Sequence, residues 1–397
     1  MKPEAFLFIS HTAARTGAPI ELLRFLGWLR KNTPNRILII LQHGGEMEAD
    51  FRALGTTRVW KRAPRKANRW VRKIRDLLRW EAVWNRLRLG MIRRWLARYR
   101  VELVYANTAF VGETLGELKS VPGLRVCRLH EMEYTLRNYS FPRGFRSFQR
   151  TLGLCGQYIV VSDAVARNLT RNHGVPMESV RQVHGSVEPV DREYYLDPKR
   201  ISSMKETLGI PPGSPVVGGC GWIQWRKGPD LFVQLAALAR RMQREDIHFL
   251  WLGGDREDLR FRQLAFDIAR AGLSERVHLT GHQADPYPYY ALMHVLAMVS
   301  REDPFPLVNL EAGLLGIPIV CFQGGGGSEE WSSRGCGRVV PYLDLGAFWQ
   351  QVRLLLNDRE LREKMGANCR REAENLLVDR NAPRLYRVLQ DIRSGSG

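Results

Sequence analysis

Short apolar runs alternate with helical patterns along this chain, and this alternation limits its fold more than any other feature. Such runs, four to six residues long, lie at 6–9, 37–41, 103–106, 126–129 and 158–161, and again at 216–220, 248–252, 277–280, 295–299 and 317–322. Strands that alternate with helices form parallel βαβ units. The pattern therefore predicts an α/β protein with two Rossmann-like domains facing a central cleft.

The stretch 185–198 between the two series is rich in proline and charge, which indicates a hinge. We expect an N-terminal domain at 1–188, a C-terminal domain at 199–370 and a terminal helical segment at 371–397. The chain reads as helical and charged from Gly366 to Arg393. That helix either stays with the second domain or crosses back to the first, and periodicity does not distinguish these arrangements.

Bulk composition excludes several classes of protein. A chain of 397 residues can bury two cores. Its apolar runs are shorter than a membrane-spanning helix requires, and its first residues do not predict a signal peptide. The six cysteines are scattered without a CxxC pair, which argues against a zinc site and for a reducing compartment.

The net charge of +19 is concentrated in one segment. Residues 58–100 contain sixteen Lys or Arg, two acidic residues and five Trp. Basic residues interleaved with Trp suit an anionic membrane surface, and we favour that interpretation. A solvated helix with a Trp-rich core face and a nucleic-acid-binding segment stay open as alternatives.

The segment SREDPFPLVNLEAG at 300–313 carries the most chemical information. An apolar run precedes it, and a helical pattern begins near Leu307 and Val308. The free amide groups and the dipole of a helix N-terminus form an anion site after a strand. Asp303 and Glu311 lie eight residues apart, and a carboxylate in the first turns of the helix can hold the vicinal hydroxyls of a sugar. A phosphate beside a polyol describes a nucleotide sugar.

Four further sites follow predicted strands. His130 ends a strand, where it can contact a ligand or move a proton, although a structural histidine fits the same position. Arg226 and Lys227 follow the first strand of the second series and can reach a phosphate. Gly17 opens the first helix, where it would let the backbone approach a ligand. The run 324–327 either wraps a ligand or forms a flexible loop.

In series, these motifs resemble the retaining nucleotide-sugar glycosyltransferases of the GT-B fold, glycosyltransferase family four. The matching segments are SHTAARTGAP, LHE at 129–131, VVSDAV, WRKGPD, SREDPFPLVNLEA and GIPIV, in family order over nearly the whole chain. The resemblance implies that Glu311 binds the nucleotide ribose, that Asp303 lies near the donor sugar and that Lys227 binds the pyrophosphate. It also implies that His130 lies near the reacting sugar and that Gly17 faces donor and acceptor.

Two positions depart from the family pattern. The first acid is Asp303 rather than a glutamate, and Glu302 directly before it can take over part of its role. Trp222 stands where many relatives carry an arginine, so Arg226 is the candidate for the missing cation.

The resemblance implies transfer of a sugar from a nucleotide diphosphate-sugar to a hydroxyl group of a glycan or glycolipid acceptor, with retention of anomeric configuration. We expect no metal and no cofactor besides the donor, and we expect binding to an anionic membrane surface rather than to nucleic acid. The expected location is cytoplasmic, peripheral at the inner face of the cytoplasmic membrane. A GT-B-like nucleotide-sugar epimerase and a non-catalytic binder of nucleic acid or anionic polymer are the alternatives.

Overall fold

The computed structural model describes residues 2–61, 80–138, 144–244 and 246–395, with the backbone alone described at 61 and 80–85. The chain divides into two compact units. The first comprises 1–161, 165–184 and 381–397, and the second comprises 162–164 and 185–380. Within the described residues, no helix is both long enough and apolar enough to span a lipid bilayer.

The first unit contains a parallel seven-stranded sheet in the order β3-β2-β1-β4-β5-β6-β7. Its strands are β1 (Glu4–Ser10), β2 (Arg36–His43), β3 (Thr56–Lys61), β4 (Arg100–Ala106), β5 (Leu124–Leu129), β6 (Gln157–Val160) and β7 (Val180–Gln182). Its helices are α1 (Gly17–Asn32), α2 (Glu48–Leu54), α3 (Trp80–Leu96), α4 (Gly112–Glu117), α5 (Glu133–Asn138), α6 (Gly144–Leu154) and α7 (Asp163–His173).

The second unit contains a parallel six-stranded sheet in the order β10-β9-β8-β11-β12-β13. Its strands are β8 (Val216–Cys220), β9 (His248–Leu252), β10 (Val277–Gly281), β11 (Val295–Met298), β12 (Ile319–Phe322) and β13 (Gly337–Val340). The helices are α8 (Arg192–Tyr195), α9 (Pro198–Thr207), α10 (Pro229–Arg241), α11 (Leu259–Arg270), α12 (Tyr287–Tyr290), α13 (Leu307–Leu314), α14 (Gly327–Trp331), α15 (Leu345–Asn357) and α16 (Arg359–Glu374), followed by α17 (Val378–Ser394).

The second sheet is buried on both faces. Along β9, Phe249 and Trp251 point into one apolar core, while Leu250 and Leu252 point into the other. A strand with both faces covered reads as a continuous apolar run, which is why the sequence identifies it. Both parallel sheets confirm the predicted α/β class with two Rossmann-like units.

Aspartates define where several helices of the second unit begin. The side chains of Asp191, Asp197, Asp258, Asp344 and Asp358 accept hydrogen bonds from amide groups in the first turns of α8, α9, α11, α15 and α16. Each bond satisfies an amide that lacks a partner within the helix, and such a cap stabilises by about 1 kcal/mol.

Three strands, β3, β7 and β13, were absent from the sequence prediction. All three lie at an edge of their sheet. An edge strand has one neighbour and is less buried, so Thr56–Lys61 and the three-residue Val180–Gln182 carry little apolar signal.

The single terminal helix expected after Gly366 is wrong, because the structure has α16 and α17 with a break between them. In the break, Val187 donates its amide to the carbonyl of Leu376 (3.0 Å) and accepts a bond from the amide of Val378 (3.0 Å). These two hydrogen bonds with Val187 take the place of the backbone hydrogen bonds that a continuous helix would form at this point.

The C-terminal part of α17 packs on the first unit. Asn35 donates to the Tyr386 hydroxyl (3.0 Å), the ring of Tyr386 lies 5.8 Å from that of Trp28, and Arg393 forms an ion pair with Glu102. Residues from Asn381 onward therefore belong to the first unit.

Candidate active site

The second sheet reverses its strand order between β8 and β11, and the helices that follow these strands, α10 and α13, pack into different cores of the second unit. In open parallel sheets, ligands bind outside the carboxyl ends of the strands at such a reversal. The loop after β8 turns at Gly221 and ends at Gly228, with φ angles of 143° and 70°. A Cβ atom at Gly228 would lie 2.2 Å from the Val299 carbonyl oxygen. Glycine is therefore required where the loops after β8 and β11 touch.

Lys227 and Asp303 form an ion pair at this reversal. The Nζ atom of Lys227 donates to Oδ2 of Asp303, and the two side chains are 13% and 7% exposed. The methylene groups of Lys227 lie over Gly221, whose added Cβ would be 3.2 Å from Cδ. An ammonium has three N–H donors, so one can serve Asp303 while the others stay available to an anion.

The glycine run 324–327 holds the backbone of Asp303. The amide of Asp303 donates to the Gly325 carbonyl (2.7 Å), and the amide of Gly327 donates to the Asp303 carbonyl (3.0 Å). Gly326 has a φ of 121°, and a Cβ there would lie 1.9 Å from the Asp303 carbonyl oxygen. The close approach of the backbone to Asp303 therefore explains the glycine at 326. The sequence alone left two interpretations of this run open, a loop that wraps a ligand and a flexible loop.

Arg226 and Glu302 are joined through their backbones. The Arg226 carbonyl accepts bonds from the amides of Arg301 (2.7 Å) and Glu302 (3.3 Å), and the Arg226 guanidinium donates to the Glu302 carbonyl (3.3 Å). Glu302 is buried. These bonds fix the loop after β8 to the loop after β11.

Arg301 was not singled out in the sequence, although it braces the same loops. Its guanidinium forks onto Asp230 at 2.9 and 2.7 Å and donates to the Trp225 carbonyl at 2.7 Å. It also lies 4.9 Å from the centre of the Trp225 ring. In the sequence, its position two residues before Asp303 was the feature that could have indicated a role at the site. Its partner Asp230 is distant in sequence, so spacing does not reveal their ion pair.

Glu311 lies in the second turn of α13, which begins at Leu307 after the extended residue Pro306. The amides of Leu307 and Val308 are the first two of this helix, where amide groups lack intrahelical acceptors. The Tyr290 hydroxyl donates to Oε2 of Glu311 at 3.0 Å. A helix N-terminus and a fixed carboxylate thus stand on the same element.

Tyr290 is a second residue that the sequence did not reveal. Its hydroxyl also lies 3.4 Å from Sγ of Cys220, at the end of β8. Burial, with Cys220 and Glu311 nearby, raises the pKa of Tyr290 well above its usual value, and burial raises the pKa of Cys220 to about 12. The phenol therefore stays protonated at neutral pH and holds one oxygen of Glu311 in place.

In the first unit, three buried polar atoms lie just beyond neighbouring strands. They are Nδ1 of His11 after β1, Oδ1 of Asn107 after β4 and Nε2 of His130 after β5, and none has a hydrogen-bond partner among the described residues. Burial, with Arg128 and His11 nearby, lowers the pKa of His130 well below its usual value. His130 is therefore neutral near pH 7 and offers an uncommitted ring nitrogen.

Glu131 orders the backbone around His130. It accepts hydrogen bonds from the amides of His130 (2.9 Å) and Ala109 (3.2 Å) and from the Thr108 hydroxyl. Burial raises the pKa of Glu131 despite these bonds. The structure thus assigns a bracing role to the acidic residue of the LHE motif.

Gly17 is the first residue of α1 rather than part of the loop before it. A Cβ atom there would meet nothing within 4 Å among the described atoms. The fold itself does not demand glycine at this position, and open space lies beside the backbone.

Known families match both halves of the chain. The model described as "Glycosyl transferases group 1" matches residues 201–372, and the model described as "Glycosyltransferase Family 4" matches residues 42–190. The first match contains Lys227, Asp303 and Glu311, and the second contains His130.

Among curated proteins, the chain is similar to a D-inositol 3-phosphate glycosyltransferase of Jonesia denitrificans, at 25% identity over 237 residues. That alignment covers 58% of this chain and 56% of the relative. It is also similar to the lipopolysaccharide core biosynthesis mannosyltransferase LpsB of Rhizobium meliloti, at 26% identity over 213 residues, covering 51% and 59%. The chain thus spans about half the length of the curated relatives it matches.

Among solved structures, the chain has the fold of Anabaena Alr3699/HepE, crystallised with UDP-glucose. The TM-score is 0.78 at 19% identity, over 98% of this chain and 100% of the other. WaaG, a glycosyltransferase involved in lipopolysaccharide biosynthesis, gives a TM-score of 0.69 at 16% identity, over 98% and 100%. These similarities support the GT-B fold.

Proposed function

We propose that this chain, which belongs to the group 1 glycosyltransferases, transfers a sugar from a nucleotide diphosphate-sugar to an acceptor hydroxyl with retention of anomeric configuration. The observation that carries the proposal is one arrangement in the second unit. A cation, Lys227, and a tyrosine-held carboxylate, Glu311, stand at the reversal of a parallel sheet, beside a helix N-terminus. This combination suits a diphosphate attached to a ribose.

In this proposal, Lys227 and Arg226 bind the diphosphate together with the amides of Leu307 and Val308. Glu311 accepts hydrogen bonds from the ribose hydroxyls, and the bond from the Tyr290 hydroxyl to Oε2 holds its carboxylate in position. Preformed cations and amide donors aimed at a departing diphosphate lower the barrier electrostatically. These protein groups supply positive charge at the phosphates without a metal ion.

The reaction breaks the bond between the anomeric carbon and a phosphate oxygen and forms a bond from that carbon to the acceptor oxygen. The acceptor hydroxyl loses its proton as it attacks, and the departing diphosphate oxygen, which gains negative charge as its bond to carbon breaks, takes up that proton. His130 is neutral and lacks a described partner on Nε2, so it suits a hydrogen bond to a sugar or acceptor hydroxyl. Asp303 holds the Lys227 ammonium, which makes it a positioning residue, and buried Glu302 supports the loop.

We further propose a lipid-linked or cell-surface glycan as acceptor and an anionic membrane as docking surface, at the inner face of the cytoplasmic membrane. In α3, Leu87 and Met91 are each 57% exposed, Arg94 is exposed one turn further on, and Arg98 is exposed in the turn that follows the helix. Leu87, Met91 and Arg94 lie on one side of α3, and with Arg98 they form a surface, the α3 face, whose apolar and basic groups suit a membrane interface. The other basic residues at 62–79 lie outside the described residues.

The test is a panel of UDP-, GDP- and ADP-sugars, first for thermal stabilisation and then for transfer to extracted lipid-linked glycans. Ligand at one hundred times its Kd adds about 2.7 kcal/mol to stability. We expect one donor to stabilise the protein and to give a product whose anomeric configuration, read by NMR coupling constants, matches the donor. Inversion would refute the retaining mechanism, and interconverted donor without transfer would favour the epimerase alternative.

A further inference from the structure

A surface cavity of about 480 Å³ lies in the second unit between α8, α9 and α12. Its walls include Tyr194, Tyr195, Lys199, Ser203 and Asp285. Its volume falls within the range of about 300–1,000 Å³ that is typical of small-molecule sites. None of the residues assigned to donor binding lines it.

The cavity presents a fixed aromatic ring. Tyr194 is 46% exposed, yet its ring is held by the Arg200 guanidinium, 3.6 Å from the ring centre, and by the edge of Tyr195 at 5.0 Å. Its amide also donates to Asp191 at 3.0 Å. A cation over a ring face and an edge-on neighbour both stabilise the ring position. Little side-chain freedom is then lost when a ligand packs on it.

Acceptors and donors border this ring. The Tyr195 hydroxyl donates to Oδ2 of Asp285 (2.8 Å), and Oδ1 accepts from the Tyr287 amide (3.1 Å), so both carboxylate oxygens are oriented. A carboxylate has about four lone-pair sites, so acceptor capacity is left over. Lys199 and Ser203 lie one turn apart on the same face of α9 and supply donors.

The charges of the cavity select among ligand classes. Two cations, Lys199 and Arg200, balance two carboxylates, Asp197 and Asp285. A phosphate ligand would require an excess of positive charge, and a lipid chain would remove water from these four charged groups without offering them hydrogen bonds. A saccharide has an apolar C–H face that can pack on a tyrosine ring, and hydroxyl groups that both donate and accept.

We propose that this cavity is a second saccharide-binding site, which holds one hexose unit of the glycan on which the enzyme acts. The identity of that glycan rests on the proposed function, whereas saccharide binding itself follows from the ring and its polar border. Such a site would keep a glycan attached to the second unit during and between transfers.

Saturation-transfer NMR with a panel of methyl hexosides and disaccharides tests this proposal, in the presence of excess UDP. We expect transfer to sugar protons with the wild-type protein and loss of most of that signal with Tyr194→Ala. Phe266→Ala is the matched control, because it removes another exposed ring (64%), on α11 of the same unit, and should leave the signal intact. Ser203→Trp fills the cavity from an exposed position and should also abolish the signal. This second variant tests the proposal even if Tyr194→Ala fails to fold.

Absence of saturation transfer to any sugar, or equal transfer with Tyr194→Ala, would overturn the proposal. Transfer to free nucleosides at this site instead of sugars would overturn it as well. Tyr194-dependent sugar binding in a protein without transferase activity would support this site and count against the proposed function. Transferase activity without Tyr194-dependent sugar binding would support the proposed function and count against this site.

Discussion

The Lys227–Asp303 ion pair allows stability and turnover to be separated by mutation. Lys227→Met keeps the length of the side chain but leaves the Asp303 carboxylate, 7% exposed, without its cation. Removing one partner of a buried pair costs about 3–5 kcal/mol. Because Lys227 is itself 13% exposed, we expect the lower end, about 3 kcal/mol, in the free energy of unfolding measured with urea.

The double variant Lys227→Met/Asp303→Asn removes both charges, so we expect it to recover most of that stability. Turnover should not recover, because the cation at the departing diphosphate is still missing. The loss of one such electrostatic contact lowers turnover by about a hundredfold to a thousandfold. Near wild-type turnover in the double variant would refute the phosphate role of Lys227, and unchanged stability of Lys227→Met would refute the energetic importance of the pair.

Three further results are expected. Gly326→Ala should lower both stability and turnover, because its Cβ would lie 1.9 Å from the Asp303 carbonyl oxygen. Gly324→Ala should perturb the loop less, because a Cβ there would meet nothing within 4 Å. Equal effects of the two substitutions would contradict this reasoning. Burial lowers the pKa values of His248 and His294 to about 4 from 6.5, so the unfolded chain binds more protons between these values. The free energy of unfolding should therefore fall as pH drops from about 6.5 towards 4, and His248→Gln should flatten the profile; a wild-type slope in that variant would count against it. Reversing the charge of the two arginines on the α3 face should weaken flotation with anionic liposomes at low salt but not with neutral ones, and unaltered flotation would exclude that face from docking.

The buried strands were accessible to sequence analysis because their residues are apolar on both faces. Each of the ten predicted runs overlaps a strand of the structure, whereas β3, β7 and β13 at the sheet edges were missed. The break before α17 was missed for another reason. It depends on backbone pairing between Val187 and the chain near Leu376, nearly two hundred residues away, which no local pattern records.

The residues of the candidate site also divide into those that the sequence revealed and those that it did not. Lys227, Asp303 and Glu311 were accessible because they follow strands or begin a helix, positions that sequence patterns mark. Tyr290 and Arg301 were not, since each acts through a partner distant in sequence, Glu311 and Asp230 respectively. Sequence spacing can thus place a residue after the carboxyl end of a strand, but only the folded structure shows which partner its side chain contacts.

Calorimetric titration of nucleoside diphosphates into the wild-type protein and into Glu311→Gln tests the central claim most directly. The substitution keeps the size of the side chain and removes its charge, so the Tyr290 hydroxyl retains an acceptor. Loss of a charged hydrogen-bond partner costs about 1.5–3 kcal/mol, which corresponds to about tenfold to a hundredfold in Kd. We predict that the wild-type protein binds one nucleoside diphosphate and that Glu311→Gln binds it weaker by that factor. Equal affinity in the two proteins would contradict the assignment of Glu311 to the ribose and, with it, the proposed donor site.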